Sequence, residues 1–253
     1  MASNLITSKD NKQIKFVHKL FLDSKYRNSS NCFVAESVRV VNAFINQGFN
    51  LKALIINHQS KFLNQYKKYE ELITLVNQEV YHHLSQLQNG DGIIGVFSFK
   101  KQTVNDNAQK IIVLDSIQDP NNLGAILRSA KAFNVDQIYL VNNCVDLFNF
   151  KVIKASMGYG YDIPIKHETN LEYLINKLKQ NKIKVYATGI NKQAKSIKVV
   201  DFNHPTAIIF GNEGNGLKKQ VFDLVDQTIF IPINSAVDSL NLAIAVSVIL
   251  SQM

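Results

Sequence analysis

Three stretches of sequence decide the fold: Asp119-Pro-Asn-Asn-Leu-Gly-Ala-Ile-Leu-Arg128, Ile209-Phe-Gly-Asn-Glu-Gly-Asn-Gly-Leu217 and Ile231-Pro-Ile-Asn-Ser-Ala-Val-Asp-Ser-Leu-Asn241. Each is rich in glycine, asparagine, proline or serine, follows an apolar run typical of a β-strand, and opens into a helical pattern. Loops of this kind lie at the carboxyl ends of parallel strands, where open α/β sheets form ligand sites. The second part of the chain is therefore predicted to be an α/β domain with a small-molecule site.

The apolar runs around these stretches predict a parallel sheet covered on both faces by helices. The predicted strands are 111–115, 137–141, 184–188, 207–210 and 229–231, and the predicted helices lie near 122–133, 171–180, 216–226 and 238–252. Asp238 or Ser239 is a suitable N-cap for the last helix. That helix is apolar on nearly every side, so we expect either a central core helix or one covered by a partner subunit.

Residues 1–99 predict a separate, smaller α/β domain. Its helices are predicted at 8–24, 38–47, 61–69 and 81–87, and its strands at 31–36, 51–56, 72–76 and 93–99. The polar stretch 100–109 has no periodicity and is interpreted as a linker. This division leaves residues 110–253 for the second domain.

The composition favours a soluble intracellular protein. Hydrophobic residues make up 46% of the chain, which is ample for a packed core. The two cysteines, Cys32 and Cys144, lie far apart and predict neither a zinc site nor a disulfide framework. No signal peptide and no membrane span are expected. His82 and His83 diverge on a helix and make a poor metal pair, so a metal-independent reaction is predicted.

The chain is basic, with a net charge of +8 and a pI near 9.3. Residues before 108 hold 13 Lys and Arg against 8 Asp and Glu, and the remainder holds 15 against 12. Lys12, Lys15 and Lys19 fall on one face of the first predicted helix. The opposite face is apolar and consists of Ile14, Val17, Leu20 and Phe21. The cationic face fits a surface that follows phosphates, and a solvated lysine-rich helix fits the charge pattern equally well.

The first two stretches also have a plain structural interpretation. Gly124 and Arg128 are four residues apart, so Arg128 points back over the space that glycine leaves, unless it simply forms a surface salt bridge. The 211–216 loop lacks the dinucleotide and P-loop patterns. Its three glycines allow a ligand to sit on bare backbone, although an ordinary glycine turn is the alternative. Glu213 is the ionisable group within this loop.

Taken together, the three stretches resemble the signature motifs of the SpoU–TrmH-type RNA 2′-O-ribose methyltransferases of the SPOUT superfamily. The first is similar to N-x-G-x-x-x-R through Asn122, Gly124 and Arg128. The second is similar to G-x-E-G-x-G-L over residues 211–217, and the third to I-P followed by S-L-N over residues 231–241. Three ordered motifs are far more specific than any one of them.

The resemblance extends over nearly the whole chain. Residues 151–164 resemble the family's segment between the first two motifs, and Tyr26-Arg27 with Phe33-Val-Ala-Glu36 resembles its small substrate-binding domain. Two positions depart from the pattern. Ser235 stands where the family usually has glycine in I-P-M-x-G, and Ser37 follows Glu36 where the family has glycine.

The resemblance implies an L30e-like amino-terminal domain and a carboxyl-terminal α/β domain with a trefoil knot. It implies S-adenosylmethionine as cofactor, and an active site shared across a homodimer formed by the carboxyl-terminal domain. Cofactor contacts carried over from the motifs are Gly211, Ile231 and Leu240, largely through main chain. The residues assigned to RNA contact are Lys12, Lys15, Lys19, Arg27 and Lys154.

The family assigns activation of the ribose hydroxyl to Arg128. Arginine essentially never deprotonates in proteins, which makes it a poor general base. We therefore interpret Arg128 as an electrostatic anchor for the developing oxyanion and the adjacent phosphate. In this interpretation Asn122, Ser239 and Asn241 would orient its guanidinium and line the pocket. Glu213 would hold the same network without transferring protons.

The expected function is transfer of a methyl group from S-adenosylmethionine to a ribose 2′-hydroxyl, with 23S ribosomal RNA as the favoured substrate. Two alternatives stay open, a transfer RNA substrate and a catalytically silent RNA-binding relative, the latter suggested by Ser235. A nucleotide-dependent oxidoreductase is disfavoured because the dinucleotide fingerprint is missing. The expected setting is cytoplasmic, without membrane attachment.

Overall fold

The computed structural model describes residues 5–253 and consists of two compact units. Unit 1 is formed by residues 1–101 together with 146–158, and unit 2 by residues 102–145 together with 159–253. Residues 1–4 lie outside the described residues. They begin the amino-terminal segment in which no signal peptide is expected. No helix within residues 5–253 is long and apolar enough to cross a membrane.

Helices and strands alternate along most of the chain. The helices are α1 (Lys12–Leu22), α2 (Ser24–Ser30), α3 (Val38–Asn46), α4 (Gln78–Leu84), α5 (Pro120–Ala132), α6 (Phe150–Ser156), α7 (Leu171–Gln180), α8 (Lys219–Leu224) and α9 (Leu242–Leu250). The strands are β1 (Cys32–Glu36), β2 (Leu51–Asn57), β3 (Ile73–Val76), β4 (Ile93–Ser98), β5 (Lys110–Asp115), β6 (Gln137–Val141), β7 (Ile165–Glu168), β8 (Lys184–Thr188), β9 (Lys195–Ser196), β10 (Thr206–Phe210) and β11 (Gln227–Phe230). Within residues 5–253, 3₁₀ segments lie at Leu63–Leu72 and, over three residues, at Ile197–Val199.

The sheet of unit 1 has the strand order β1-β4-β2-β3. Strand β4 is antiparallel to both of its neighbours, and β2 is parallel to β3. Strands β1, β2 and β3 therefore run in the same direction, and their carboxyl ends meet at one edge of the sheet. We call this edge the carboxyl edge of unit 1.

Helix α1 packs on unit 1 through the apolar face that the sequence predicts. Its buried residues are Ile14, Val17, Leu20 and Phe21. The single helix predicted at 8–24 is wrong in its bounds, because Asp23 has extended backbone angles and ends α1. The Asp23 side chain then accepts a hydrogen bond from the amide of Tyr26 and begins α2. Because the Asp23 carboxylate caps α2, it favours the start of a new helix at this position over continuation of α1.

The segment 146–158 belongs to unit 1, although the chain enters unit 2 before and after it. The guanidinium of Arg27 donates to Asp146 and to the carbonyl of Leu20. Phe148 packs 4.5 Å from Phe33, measured between ring centroids, and Phe150 packs 5.4 Å from Phe21. An ion pair and aromatic packing therefore hold this excursion of the chain on unit 1. The domain bounds that the sequence suggests, 1–99 and 110–253, contain no such excursion.

The sheet of unit 2 is entirely parallel and has the strand order β7-β6-β5-β10-β8-β11-β9. This confirms the predicted α/β class with a parallel sheet. The edge strands β7 and β9 escaped prediction because they are short and partly polar. The trefoil knot stays a prediction from the resemblance.

Helix α9 differs from its prediction in its start and in its surroundings. The predicted cap at Asp238 or Ser239 is wrong, because the side chain of Asn241 accepts from the amides of Ala243 and Ile244 and caps the helix. The helix packs on α5, where the Ser129 and Ser247 hydroxyls lie 2.7 Å apart. Ile244 is 54% exposed, so within one chain α9 is not enclosed as a central core helix would be.

Candidate functional site

A cleft of about 430 Å³ lies at the carboxyl edge of the unit 2 sheet. The ends of three adjacent strands line it, namely β8 through Thr188, β10 through Phe210 and β11 through Phe230. Its volume falls within the range of small-molecule sites. The position is the one at which open parallel sheets bind ligands. The sequence motifs 209–217 and 231–241 both contribute to its lining.

The loop after β10 is closed tightly on itself. The amide of Gly216 donates to the carbonyl of Asn212 at 2.9 Å, and the amide of Gly214 donates to the side chain of Asn212, also at 2.9 Å. A Cβ atom on Gly211 would lie 2.6 Å from both the carbonyl oxygen of Gly216 and the amide nitrogen of Leu217. Glycine is thus required at 211 by close approach of the loop's own backbone, as in an ordinary glycine turn. That a ligand sits on the bare backbone of this loop stays a prediction.

A chain of hydrogen bonds joins the three motifs at the rim of the cleft. The Asn241 amide donates to the Asn122 side-chain oxygen at 2.9 Å, and the Asn122 amide donates to Glu213 at 3.1 Å. Glu213 also accepts from the backbone amides of Asp119 and Gln118, at 3.3 and 3.4 Å. Asn122 is only 7% exposed, so both of its polar groups are committed to this network. We call Asn122, Glu213 and Asn241 the motif network.

The remaining predicted cofactor and catalytic residues occupy two different places. Ile231, Ser239 and Leu240 line the cleft together with Gly211. Arg128 does not line it, although it belongs to the same helix as Asn122. The two residues are six positions apart, which corresponds to roughly 9 Å along α5. The structure places Arg128 on an exposed part of α5.

The residues assigned to RNA contact are all found in unit 1, and they differ in exposure. Lys12, Lys15 and Lys19 are exposed on α1, with Lys15 paired to Asp10 and Lys19 lying 4.3 Å above the Tyr26 ring. Lys154 is exposed on α6. In contrast, Arg27 is 3% exposed and its guanidinium is bound within the unit, which argues for a structural role.

Sequence reasoning missed the contribution of β8 to the cleft. Thr188, Gly189 and Ile190 line it, and Ile190 is 88% exposed. No motif marks this turn. The available signal was positional, because the carboxyl end of any strand beside β10 has to open onto the same edge. Within residues 5–253 there is no group of three or more His, Cys, Asp or Glu side chains suited to holding a metal.

The architecture is that of a two-unit α/β protein with a cleft at the carboxyl edge of the parallel sheet of unit 2. Residues 109–251 match the model of the SpoU rRNA Methylase family, and residues 11–95 match the MRM3-like substrate binding domain. The chain belongs to the SpoU rRNA methylase family.

Similar proteins span the chain to different extents. An uncharacterized tRNA/rRNA methyltransferase of Synechocystis is 35% identical over 178 residues, covering 70% of this chain and 65% of that relative. The chain thus spans slightly less than two thirds of that protein. The 23S rRNA (guanosine(2553)-2′-O)-methyltransferase RlmP of Bacillus subtilis is 25% identical over 244 residues, covering 96% of each chain. The crystal structure of an AdoMet-bound rRNA methyltransferase from Sinorhizobium meliloti superposes with a TM-score of 0.87 at 26% identity, covering 98% of this chain and 96% of that one.

Proposed function

We propose that this protein transfers a methyl group from S-adenosylmethionine to a ribose 2′-hydroxyl of ribosomal RNA. The observation that carries the proposal is the motif network, which brings residues from three distant stretches to the rim of one cleft. Family membership and the similarity to RlmP over nearly the full length of both chains support it. The 23S RNA is the favoured substrate because it is the substrate in the name of RlmP.

The cleft of unit 2 fits S-adenosylmethionine as a methyl donor. The donor supplies a methyl group on a positively charged sulfonium. Gly211 lines the cleft, and Ile231 and Leu240 add apolar surface to it. Two carboxylates, Glu213 and Asp238, line the cleft. Carboxylates at short range favour a cation. Ser235 is not among the described non-glycine residues with positive φ, so serine there carries no backbone strain.

The motif network would hold the rim of the cleft in one geometry. Asn122 and Asn241 use their side-chain amides on each other and on Glu213, and Asn241 also caps α9. Glu213 accepts hydrogen bonds from four groups and therefore fixes the loop rather than moving a proton. Alignment of the reacting groups supplies a large part of the rate in a reaction of this kind.

We further propose that the active site is shared between two copies of the chain. Arg128 lies outside the cleft of its own chain, and α9 leaves Ile244 exposed. A homodimer through unit 2 would cover the apolar face of α9 and bring Arg128 of one copy toward the cleft of the other. Arg128 would then act as an electrostatic anchor for the hydroxyl oxygen and the neighbouring phosphate.

The charge of unit 1 supports an RNA substrate. Unit 1 holds 15 Lys and Arg against 8 Asp and Glu, whereas unit 2 holds 13 against 12. Nearly all of the excess positive charge therefore lies on unit 1, which includes the matched substrate-binding domain and the exposed lysines of α1. Such an excess attracts a polyanion through its phosphates. Action on ribosomal RNA would place the protein in the cytoplasm.

The test combines cofactor titration with mapping of 2′-O-methyl positions on total RNA. The wild type is expected to bind S-adenosylmethionine and to restore one position that is missing without the protein. Arg128→Ala is expected to keep cofactor binding and to lose methylation. Absence of cofactor binding at millimolar ligand would reject the enzyme and favour the RNA-binding alternative.

Mixing copies tests the shared site. Copies with Arg128→Ala lack the electrostatic anchor, and copies with Gly211→Ala have an altered cleft. Each kind of copy alone is therefore expected to be inactive. If Arg128 acts across a two-fold dimer, mixed dimers contain one intact site, and a random mixture recovers about a quarter of wild-type activity. A mixture that stays inactive would show that Arg128 acts on the cleft of its own chain.

A further inference from the structure

The positive charge of unit 2 is concentrated in one stretch of sequence. Unit 2 balances 13 Lys and Arg against 12 Asp and Glu, but seven of the 13 lie within residues 177–198. No acidic residue lies between Glu172 and Asp201. A local excess of this size creates a positive surface even though the unit as a whole is nearly neutral. The seven residues are Lys177, Lys179, Lys182, Lys184, Lys192, Lys195 and Lys198.

Two adjoining clefts bring part of this charge together on the side of the unit 2 sheet where its strands begin. They measure about 370 and about 330 Å³. Lys184, His204 and Asp226 line both of them, so the two clefts form one continuous surface. We call this surface the basic edge. Its other cationic residues are Lys179 and Lys182 in the first cleft and Lys195 in the second.

The basic edge lies opposite the cleft that is proposed to bind the methyl donor. Lys184 begins β8, and His204 lies two residues before β10. Thr188 ends β8 and lines the donor cleft. Lys184 and Thr188 are four positions apart, which corresponds to roughly 13 Å along the strand. The positive charge of the basic edge is therefore held away from the site of a cationic donor.

Hydrogen bonds fix the floor of the basic edge. Both carboxylate oxygens of Asp226 are used, one by the amide of Val185 at 2.8 Å and the other by the Lys179 ammonium at 3.1 Å. The Tyr186 hydroxyl lies 3.2 Å from Nε2 of His204. Asp226 and Lys179 neutralise each other within the fold, so the remaining lysines determine the charge of this surface.

Lys182, Lys184 and Lys195 are the cations that the basic edge presents to solvent. All three are exposed. Among residues 5–253 none of them pairs with a carboxylate, and the Lys184 ammonium lies 5.7 Å from the centroid of the Tyr186 ring. Asp201 also lines the second cleft. Outside the pair of Lys179 with Asp226, the surface thus holds three lysines against one carboxylate.

A chain of phosphates fits this arrangement. Lysine binds phosphate as a point charge on a flexible stem, and each such contact on a nucleic acid releases counterions. The lysines line two adjoining clefts, which suits successive phosphates of a strand better than a single small anion. Tyr186, the aromatic residue of this surface, is only 2% exposed and offers bases no face for stacking. The contact is therefore expected to be independent of base sequence.

We propose that the basic edge binds the phosphate backbone of an RNA strand through Lys182, Lys184 and Lys195. The inference rests on the proposed RNA substrate, and it adds to unit 2 a surface that attracts phosphates without reading bases. Because this surface lies at the opposite edge of the sheet from the donor cleft, attraction of the polyanion does not oppose binding of the sulfonium.

Chemical labelling of lysines in the full chain tests the contact. The reactivity of each lysine towards an acetylating reagent is measured by mass spectrometry, without RNA and with a forty-nucleotide oligouridine. Lys182, Lys184 and Lys195 are expected to lose reactivity when RNA is bound, whereas Lys177 is expected to keep it. Unchanged reactivity of the three lysines would overturn the proposal, and so would failure of the wild type to bind the RNA.

Polyglutamate is the second probe in the same labelling experiment. It carries negative charge without phosphates, so it represents an acidic protein partner. Protection of Lys182, Lys184 and Lys195 by the RNA supports the proposal. Protection by polyglutamate and not by the RNA would overturn it and favour an acidic protein as the partner.

The combined variant Lys182→Gln/Lys184→Gln/Lys195→Gln removes the three charges and keeps polar side chains. The logarithm of the RNA binding constant is measured against the logarithm of the salt concentration. We expect the slope to decrease by roughly 2, because each contact with a single-strand phosphate contributes about 0.7. Affinity for the oligouridine is expected to fall about tenfold or more at physiological salt. A slope equal to that of the wild type would refute the proposal.

Lys177→Gln is the matched control, because it removes the same charge from the same stretch of sequence. Lys177 lines neither cleft and lies two positions from Lys179 on α7, which places the two side chains about 200° apart around the helix. We expect Lys177→Gln to keep the wild-type slope and Lys184→Gln to lower it by roughly 0.7. Equal effects of the two would assign the attraction to total charge and overturn the proposal.

The proposed function is tested separately, by titration with S-adenosylmethionine and by mapping of methylation. All of these lysine variants are expected to bind the donor like the wild type, which also shows that they are folded. Intact methylation without protection of the basic edge rejects this inference alone. Absence of donor binding and of methylation in the wild type rejects the proposed function instead.

Discussion

Alanine at position 211 would place a methyl group inside the loop that closes the cleft of unit 2. The new Cβ atom would lie 2.6 Å from the carbonyl oxygen of Gly216 and from the amide nitrogen of Leu217. Ordinary contacts of a Cβ atom begin near 3.4 Å. The opposing atoms are backbone and cannot rotate away, so the loop has to move by close to 1 Å.

Two effects of this displacement are expected to be measurable. Forcing an extra methyl group into a packed region costs about 1–3 kcal/mol of stability. The 211–216 loop also contributes to the cleft lining and to the motif network through Glu213. A misplacement of roughly 1 Å in a reacting site can reduce the rate by about 100-fold. We therefore expect Gly211→Ala to fold with reduced stability and to lose most cofactor binding and methylation.

Gly214 in the same loop provides the control. A Cβ atom there would meet the Asn212 side-chain oxygen at 3.5 Å, which is an ordinary contact, and Gly214 is not among the glycines with positive φ. Gly214→Ala is expected to retain cofactor affinity. Isothermal titration with S-adenosylmethionine and denaturant unfolding of both variants test this directly. The reasoning about the loop fails if Gly211→Ala binds like the wild type, or if both variants lose affinity equally.

Two further predictions concern unit 1. Burial raises the pKa of Glu36 above its usual value of 4.5, so the folded state binds this proton more tightly and the associated stability is lost as pH rises through the raised pKa. Denaturant unfolding is measured for wild type and for Glu36→Gln from pH 4 upward. The free energy of unfolding of wild type, relative to that of Glu36→Gln, should decrease as the pH rises. A difference that does not depend on pH would contradict this. Asp146→Ala leaves Arg27 buried without its carboxylate. We expect the free energy of unfolding to decrease by about 3 kcal/mol and proteolysis within 146–158 to become faster. Unchanged unfolding and proteolysis would show that the aromatic contacts alone hold this segment on unit 1.

The elements of unit 2 were largely predictable from local pattern. The central strands are runs of β-branched and apolar residues, and 137–141 and 184–188 match their predicted bounds. The start of α9 was not predictable in the same way. Asp238, Ser239 and Asn241 all have side chains that cap helices, and the choice of Asn241 follows from its bond to Asn122, which is a tertiary contact.

The excursion at 146–158 shows a second limit of local pattern. Arg27 and Asp146 are 119 positions apart, and nothing in their separate neighbourhoods indicates that they form an ion pair. The basic pattern of the amino-terminal segment suggested that Arg27 contacts RNA, whereas its burial ties it to the fold. Exposed lysines on α1 can be recognised by helical spacing, but the partner of a buried arginine cannot.

The sequence motifs indicate several residues that line the cleft, but they do not indicate how these residues are connected. The motifs indicate Asn122, Glu213 and Asn241, and the structure joins them by hydrogen bonds across the carboxyl edge of the unit 2 sheet. No sequence motif marks Ile190 as part of the cleft lining, because its position there depends on strand order alone. Strand order is a property of the whole sheet, which a local pattern does not contain.

Under the proposed function, the distribution of charge gives a physical reason for dividing RNA recognition and donor binding between the two units. A polyanionic strand and a cationic methyl donor have opposite electrostatic requirements, and a strongly basic surface around the donor would disfavour it. Unit 1 carries nearly all the excess positive charge, whereas unit 2 is almost balanced and lines its cleft with Glu213 and Asp238. Recognition of RNA and binding of the donor can therefore each be favourable in one chain. Reversing charge on α1 should accordingly change affinity for RNA while leaving the affinity for the donor as it was.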